Sequence, residues 1–521
     1  MRTFRVCLNA VHAKAGKGEF AKAGDCQRPF ILNITTSLTA DRLIIVHCSL
    51  FIVHGLFILP CKIKLVMSAQ IEDTIVAPAT AQGISAIAVI RLSGTDAIAI
   101  TQKCFSGKNL EQQSSHTIHF GNFHFNGKII DEVLVSIFKA PNSFTKENAV
   151  EISCHGSPFI VKEIIKALLH SGARLAQPGE FTKRAFLHGR FDLAQAEAVA
   201  DLINAETDNA RQAALNQMRG GFSKEINHLR EELIHFASLI ELELDFGEED
   251  VEFAKRDDLR ALIHKIQSYL RALIDSFDQG NVIKNGVPTV IAGKPNAGKS
   301  TLLNALLNEE RAIVSEIPGT TRDAIEDEII LGGINFRFID TAGLRETKDV
   351  IEAIGVERTR ERMKKASLIL YLVDLSNATK KEVSEQIAEL NALEIPYLAI
   401  GNKIDQANTS LVKSLEQQNF IFISASNKTN LPLLKERILA KVHLKEVKKG
   451  DVMVTNLRHY QNLLQTNEAL EHVLTGMDSG VTGDFLAMDI RQALHYLGEI
   501  TGTITTDDLL DNIFSKFCIG K

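Results

Sequence analysis

The run PTVIAGKPNAGKSTLLN, from Pro288 to Asn304, constrains this chain more than any other stretch. Pro288 to Ala292 is a short apolar segment of the kind that forms a buried strand. It leads into Gly293-Lys294-Pro295-Asn296-Ala297-Gly298-Lys299-Ser300, a G-x-x-x-x-G-K-S, and helical character begins at Thr301. Strand, glycine loop and helix in that order is the setting a phosphate-binding P-loop requires. The glycines let backbone N–H groups converge on a polyphosphate at the positive end of a helix. Lys299 would reach the β- and γ-phosphates, and the Ser300 hydroxyl would ligate Mg²⁺.

The companions of such a loop follow in order. Phe336 to Ile339 reads as a strand leading into Asp340-Thr341-Ala342-Gly343, a D-x-x-G in which Asp340 can hold Mg²⁺ through water and Gly343 can meet the γ-phosphate. Leu368–Val373 and Tyr397–Ile400 read as parallel-sheet strands, because they are apolar without alternation. The second runs into Asn402-Lys403-Ile404-Asp405, an N-K-x-D. Asp405 is an acceptor-only carboxylate suited to the N1–H and N2–H donors of guanine, which adenine lacks. Phe420 to Ile423 then leads to Ser424-Ala425-Ser426, the loop placed to touch guanine O6. These motifs define a GTP-binding domain over 287–445 with a doubly wound, mostly parallel sheet. Small GTPases usually carry a Gln after D-x-x-G to orient the attacking water. Here the position is Leu344, so that role falls to a neighbour, with Arg345, Glu346 and Glu352 as candidates. Gly319-Thr320-Thr321-Arg322-Asp323 supplies the switch threonine for Mg²⁺, assigned to Thr321. Arg322 is either a charge-stabilising finger or an exposed structural arginine. Asn296 brings a side-chain carbonyl near the phosphates and could help hold a monovalent cation.

With 521 residues, the chain exceeds a single core, and about three domains are expected. Residues 1–66 read as an extension, with Met67 as the expected start; its run Leu43–Pro60 has the length and apolarity of a minimal membrane span. Residues 67–188 interleave strands (Ser85–Leu92, Glu132–Phe138, Ala149–Ser153) with a helix over Phe159–Leu169, giving an α+β domain. Arg91 and Glu151 are charges inside strands and are costly to bury unpaired. They form either a structural ion pair or a pair facing a polar ligand. His155, beside Gly156, reads as a turn residue. Residues 189–286 and 446–521 read as helical, with long helices over Leu193–Met218 and Glu225–Leu244. Leu259, Leu262, Ile266, Leu270, Leu273 and Phe277 make one apolar stripe. Helices on both sides suggest a GTPase domain inserted into one helical domain. The chain closes on Phe517-Cys518-Ile519-Gly520-Lys521, a tail whose free state would be disordered.

These blocks resemble one family, the tRNA-uridine modification GTPases MnmE/TrmE. The resemblance spans about 70–521 and rests on VIRLSG, PGEFTKRAFLHGRFDLAQAEAVADLI, GKPNAGKS, PGTTRD, DTAGLRET, NKID and the terminal FCIGK. It implies an N-terminal domain that dimerises and binds 5-formyl- or 5,10-methylene-tetrahydrofolate, through Arg91, Glu151, Arg190 and Lys521. It implies a homodimer that works on tRNA with a flavin-dependent partner, GidA/MnmG, to place an aminomethyl-type group on C5 of the wobble uridine. The GTP-binding set it implies is Asn296 to Thr301, Ser315, Glu316, Ile317, Pro318, Gly319, Thr320 and Thr321, Asp340 to Gly343, Asn402, Lys403, Asp405 and Ser424 to Ser426. K⁺ would be held by Asn296, Ser315, Ile317 and Thr320, and Mg²⁺ by Ser300 and Thr321. Glu352 takes the family's catalytic carboxylate position, and Cys518 matches a family cysteine. Ser315 departs from a familiar Thr.

The competing reading is a ribosome-assembly or regulatory GTPase that binds RNA without modifying it. That reading predicts an appended basic RNA-binding module, and the sequence after 443 is helical instead. A third, a membrane-anchored GTPase, depends wholly on Leu43–Pro60. A net charge of −6 argues against bulk nucleic-acid affinity. Seven cysteines without C-x-x-C pairing speak against a disulfide scaffold or zinc site and for a reducing, cytoplasmic setting.

Overall fold

The computed structural model describes residues 30–37, 43–53, 56–58, 73–245, 255–310, 327–339, 363–407, 409–442 and 452–520. The chain divides after Glu72 into two compact units. The first contains β1 (Phe30–Ser37), β2 (Leu43–Val53) and β3 (Leu56–Ile58), paired antiparallel in that order. The described parts of the apolar run that has the length of a membrane helix, Leu43–Val53 and Leu56–Ile58, are therefore strand. Their β-branched residues, Ile44, Ile45, Val46, Ile52 and Val53, favour a pleated backbone. Among the described residues no helix is long and apolar enough to cross a membrane.

The second unit opens with β4 (Ile75–Pro78), β5 (Ser85–Ser93), α1 (Ala97–Cys104), β6 (Phe105–Ser106), β7 (Thr117–Phe125), β8 (Lys128–Phe138), β9 (Ala149–Gly156), α2 (Pro158–His170), β10 (Arg174–Leu175) and α3 (Glu180–Leu187). The seven strands form one sheet in the order β10-β4-β5-β9-β8-β7-β6. All its pairs are antiparallel except β10 with β4. Alternation along the strands sends Ile90, Leu92, Val135, Ile137, Val150 and Ile152 into a core closed by Ile98, Ile164 and Leu168 of α1 and α2. The opposite face carries Arg91 in register with Glu151, which is in register with Ser136. Strand β9 runs further than expected, so His155 lies in the ladder opposite Ile87, with its Nδ1 2.7 Å from Asp131 Oδ1. That corrects its reading as a turn residue.

Helices α4 (Leu193–Ile203), α5 (Asp208–Met218), α6 (Gly221–Asp245), α7 (Arg256–Asp275) and α8 (Phe277–Asn285) follow. The single helix expected over Leu193–Met218 is broken. Thr207 takes extended backbone angles and its side chain accepts from Ala210 N, starting α5 afresh. The intervening loop is used in a tertiary contact, where Asn335 Nδ2 donates to Glu206 Oε2 at 2.7 Å. The apolar stripe also stops one residue short of Phe277. At Ser276 the hydroxyl donates to Leu273 O at 2.6 Å and accepts from Val454 N at 3.0 Å, and Phe277 opens the next helix.

The nucleotide-binding layer comprises β11 (Val287–Gly293), α9 (Lys299–Glu310), β12 (Asp327–Leu331), β13 (Ile334–Phe338), β14 (Leu368–Asp374), α10 (Lys380–Asn391), β15 (Tyr397–Asn402), α11 (Thr409–Leu415), β16 (Ile421–Phe422) and α12 (Leu431–Val442). Sheet order is β12-β13-β11-β14-β15-β16, parallel apart from the β12–β13 hairpin. The apolar strands are buried on both faces, in separate clusters built on Leu302 and Leu306 on one side and Val383 and Leu415 on the other.

The chain then returns to the helical layer as α13 (Leu457–Asp478), α14 (Gly483–Thr501) and α15 (Asp507–Phe514). Leu259, Leu262, Ile266, Leu270 and Leu273 share one core with Leu463, Leu470, Val473, Ile490 and Leu497. Residues before and after the nucleotide-binding layer thus bury each other, which makes that layer an insertion. Each such side chain removed from water contributes on the order of 2 kcal/mol.

Candidate functional site

The P-loop lies between β11 and α9. Asn296 and Gly298 adopt φ of 61° and 96°. Gly298 is required twice over, by its left-handed backbone and because a Cβ there would sit 2.3 Å from Asn402 Nδ2. Lys299 Nζ turns back into the loop and donates to Gly293 O and Lys294 O at 2.9 Å each. Burial holds its ammonium below the usual lysine pKa, and among the described residues it takes no carboxylate partner. A cationic group confined within a cradle of backbone N–H groups suits a polyphosphate. Ser300 and Thr301 occupy the first turn of α9.

The N-K-x-D loop is joined to this cradle. Asn402, buried at the end of β15, donates from Nδ2 to Ala297 O at 2.8 Å and accepts at Oδ1 from Ala425 N at 3.0 Å. One side chain therefore ties the phosphate loop to the Ser424–Ser426 loop. Ser424 is fully buried, with its Oγ 3.2 Å from Ser426 Oγ. Lys403 adopts φ of 62° and donates from Nζ to Asp374 Oδ2 at 2.6 Å. Asp405 sits in the 3₁₀ turn Ile404–Gln406, exposed and without a hydrogen-bond partner among the described residues. Asn296 to Thr301, Asn402, Lys403, Asp405 and Ser424 to Ser426 are thereby gathered at the C-terminal edge of one parallel sheet, the usual ligand edge of open α/β folds. The remaining expected residues, Ser315, Glu316, Ile317, Pro318, Gly319, Thr320, Thr321, Asp340, Thr341, Ala342, Gly343 and Glu352, lie outside the described residues, as do Leu344, Arg345, Glu346 and Arg322.

A second cluster forms on the open face of the seven-stranded sheet. Arg91 Nε donates to Glu151 Oε1 at 2.9 Å and Nη2 lies 2.7 Å from the same oxygen. Its Nη1 donates to Gly520 O at 3.4 Å. The Arg91 guanidinium lies 5.7 Å from the Phe144 ring and 5.8 Å from the Phe181 ring. Arg190 stands 5.3 Å from both Phe144 and Phe191 and donates to Ser143 O. Two of the four residues expected to contact folate, Arg91 and Arg190, thus flank Phe144, and a third, Glu151, is paired with Arg91, against which the Gly520 carbonyl also lies. Lys521 lies outside the described residues.

The tail is held in place. Phe514 and Phe517 pack with Leu193, Ala196 and Leu510, and Gly179 N donates to Cys518 O at 3.4 Å. A Cβ on Gly520 would meet Pro78 O at 2.2 Å, so only glycine permits this approach. The expectation of a disordered tail is therefore corrected, since burial of two aromatic rings offsets the ordering cost. Cys518 is exposed.

The PGEFTKRAF block has a structural part here. Arg184, fully buried, binds Asp73 at 2.6 Å, Glu180 at 3.0 Å and Glu147 at 3.2 Å. This closed network locks α3 to the sheet and fixes the loop bearing Ser143 and Phe144. Phe144 and Phe181, the rings beside Arg91, and Asp374, the ion-pair partner of Lys403, have no role in the sequence reading. Phe144 carries no motif of its own, whereas Phe181 lies within the PGEFTKRAF block; for Asp374, a carboxylate ending an apolar parallel strand was the available signal.

Two layers with these loops define a P-loop GTPase attached to a helical scaffold. The family model described as the GTP-binding protein TrmE N-terminus matches residues 74–190, and that of the MnmE helical domain matches 193–518. Among curated relatives, the tRNA modification GTPase MnmE of Cytophaga hutchinsonii is 61% identical over 450 residues, covering 86% of this chain and 98% of the relative. That of Christiangramia forsetii is 53% identical, covering 87% and 100%. In a structural comparison, the G domain of the T. maritima FeoB iron transporter overlaps 30% of this chain and 99% of its own, at TM-score 0.23 and 23% identity. The chain belongs to the MnmE family of tRNA modification GTPases. A GTPase of this class works on the Mg²⁺ complex of its nucleotide.

Proposed function

We propose that this GTPase, with a flavin-dependent partner of the GidA/MnmG type, adds a (carboxymethyl)aminomethyl group to C5 of the wobble uridine, position 34, of certain tRNAs. A tetrahydrofolate, as the 5-formyl or 5,10-methylene form, supplies the one-carbon unit when bound. The observation carrying this reading is the meeting of Arg91, paired with Glu151, and Arg190 on either side of Phe144, with the C-terminal turn against Arg91. Both Arg91 contacts fall on Glu151 Oε1, so Oε2 can accept from the ring N–H groups of a pterin while Phe144 offers an apolar face. Arg190 and the terminal Lys521 bring positive charge for the anionic end of such a ligand. In this reading 67–188 is the folate-binding domain, 189–286 and 446–521 form the helical domain, and 287–445 is the GTPase domain.

On the GTPase side, Lys299 holds the β/γ-phosphates, Ser300 and Thr321 hold Mg²⁺, and Asp405 reads the guanine. Asn296, Ser315, Ile317 and Thr320 hold K⁺, which takes the part of an arginine finger, and Glu352 orients the attacking water that Leu344 cannot. The protein acts as a cytoplasmic homodimer. The open sheet face supports pairing through the N-terminal domain, since Ile87, Ile118, Phe120 and Leu134 are exposed on it. The test is a nucleoside profile, by mass spectrometry, of tRNA from cells lacking the gene. The C5-substituted wobble uridine should disappear, and an unchanged profile overturns the proposal.

A further inference from the structure

One carboxylate beside the guanine-selecting loop belongs to none of the GTPase motifs. Asp374 ends β14, next to β15 and opposite Asn402 in the sheet register. Its side chain is 16% exposed, and that of Lys403 is 29% exposed. Besides Lys403 Nζ at 2.6 Å, it accepts from Ser376 N at 3.0 Å and from Ser376 Oγ at 2.6 Å. Burial acts to raise its pKa, but the bonds from Lys403 and Ser376 outweigh it and keep the carboxyl below its ordinary range.

The ion pair sits at the point where the loop needs an anchor. Asn402 is fixed by two other loops. Beyond Lys403, the 3₁₀ turn is attached by Ile404 N to Ile423 O at 3.1 Å and by Gln406 N to Lys403 O at 2.9 Å. Lys403 between them holds a left-handed backbone that residues with a side chain seldom adopt. Asp405 has no side-chain partner of its own among the described residues, so its placement follows from the backbone at Lys403. A charge-assisted bond to a partly buried carboxylate is the strongest tie available to that residue.

We propose that Asp374 is a positioning residue for guanine-nucleotide binding, anchoring Lys403 so that the loop presents Asp405 to the base. This rests on the reading that Asp405 recognises guanine. Asp374 itself touches neither the phosphates nor the reacting atoms. Its removal should weaken GTP and GDP alike and raise KM with little change in kcat, the signature of lost uniform binding.

The test uses the full-length protein and titrates fluorescent GDP and unlabelled GTP into Asp374→Asn, Asp374→Glu, Lys403→Met and the Asp374→Asn/Lys403→Met double variant. Asp374→Asn should lose roughly tenfold in affinity for both nucleotides, as expected for loss of one charge-assisted bond. Asp374→Glu should recover most of the loss, and the double variant should bind no more weakly than Lys403→Met. Parental affinity in Asp374→Asn, or additive losses in the double variant, overturns the proposal. Asp405→Asn is the separate control. If it keeps parental GTP affinity, the guanine reading itself fails, whereas loss there with parental affinity in Asp374→Asn overturns only the role of Asp374.

Discussion

The guanidinium of Arg91 donates to the carbonyl of Gly520 across 429 positions of sequence. The same guanidinium is paired with Glu151, so the end of the chain is a wall of the cluster around Phe144. Deleting residues 517–521 should therefore weaken binding of a reduced folate as Arg91→Ala does, each by at least about tenfold for the charged bonds lost. Isothermal titration with 5-formyl-tetrahydrofolate checks this, with GTP affinity unchanged as evidence that the rest of the fold is intact.

Glu352→Ala should abolish GTP hydrolysis while sparing GTP binding, a loss of roughly 10²–10³ in turnover if it acts as the water-orienting group. Replacing K⁺ by Na⁺ should slow hydrolysis strongly in the parent. Phosphate release under single-turnover conditions measures both. Unchanged turnover in Glu352→Ala would return Arg345 or Glu346 to candidacy, and ion-independent rates would remove K⁺.

Gly298→Ala places a Cβ at a backbone φ of 96° and 2.3 Å from Asn402 Nδ2. The strain is on the order of 2 kcal/mol, and Asn402 must also release Ala297 or Ala425. GTP affinity should fall more than tenfold, and the thermal midpoint of the nucleotide-free protein should drop by several degrees as the strain is carried by the folded state.

In the helical layer, buried Glu197 accepts from Arg458 Nη2 at 2.7 Å and lies 2.8 Å from His459 Nε2. Burial opposes its charge, but His459 and Arg458 outweigh burial and pull its pKa from 4.5 to about 2. A folded-state pKa below the unfolded one stabilises above 4.5, and that contribution is lost as pH falls toward 2. Glu197→Gln should cost on the order of 3 kcal/mol near neutral pH, by leaving the cationic partner uncompensated. Urea unfolding should show the gap between parent and variant narrowing as the pH falls through that window, from about 4.5 toward 2.

Local sequence carried much of this architecture. The strand–loop–helix around Gly298, the stripe from Leu259 to Leu273 and the alternation through Arg91 are short-range patterns whose period alone indicates the buried face. The break at Asn204–Thr207 was not legible, because the loop is held by Asn335 in a distant strand. Nor was the end of the α7 stripe, where Ser276 bonds Val454. Helical periodicity cannot register a partner more than a hundred residues away.

The P-loop, D-x-x-G and N-K-x-D motifs by themselves determined a guanine-nucleotide site, because guanine and phosphate recognition depends on few groups at fixed local spacing. Spacing alone left Arg91 and Glu151 balanced between an ion pair and a ligand-facing pair, and the family resemblance tipped them toward ligand binding. Tertiary structure showed that they are an ion pair and also that Arg190, Phe144 and the C-terminal turn stand around it. It likewise placed Asp374 under Lys403 and buried the tail that its own composition would leave free. The physical reason is the same in each case: a charge or an aromatic ring takes its role from what it is packed against, and those neighbours come from opposite ends of the chain.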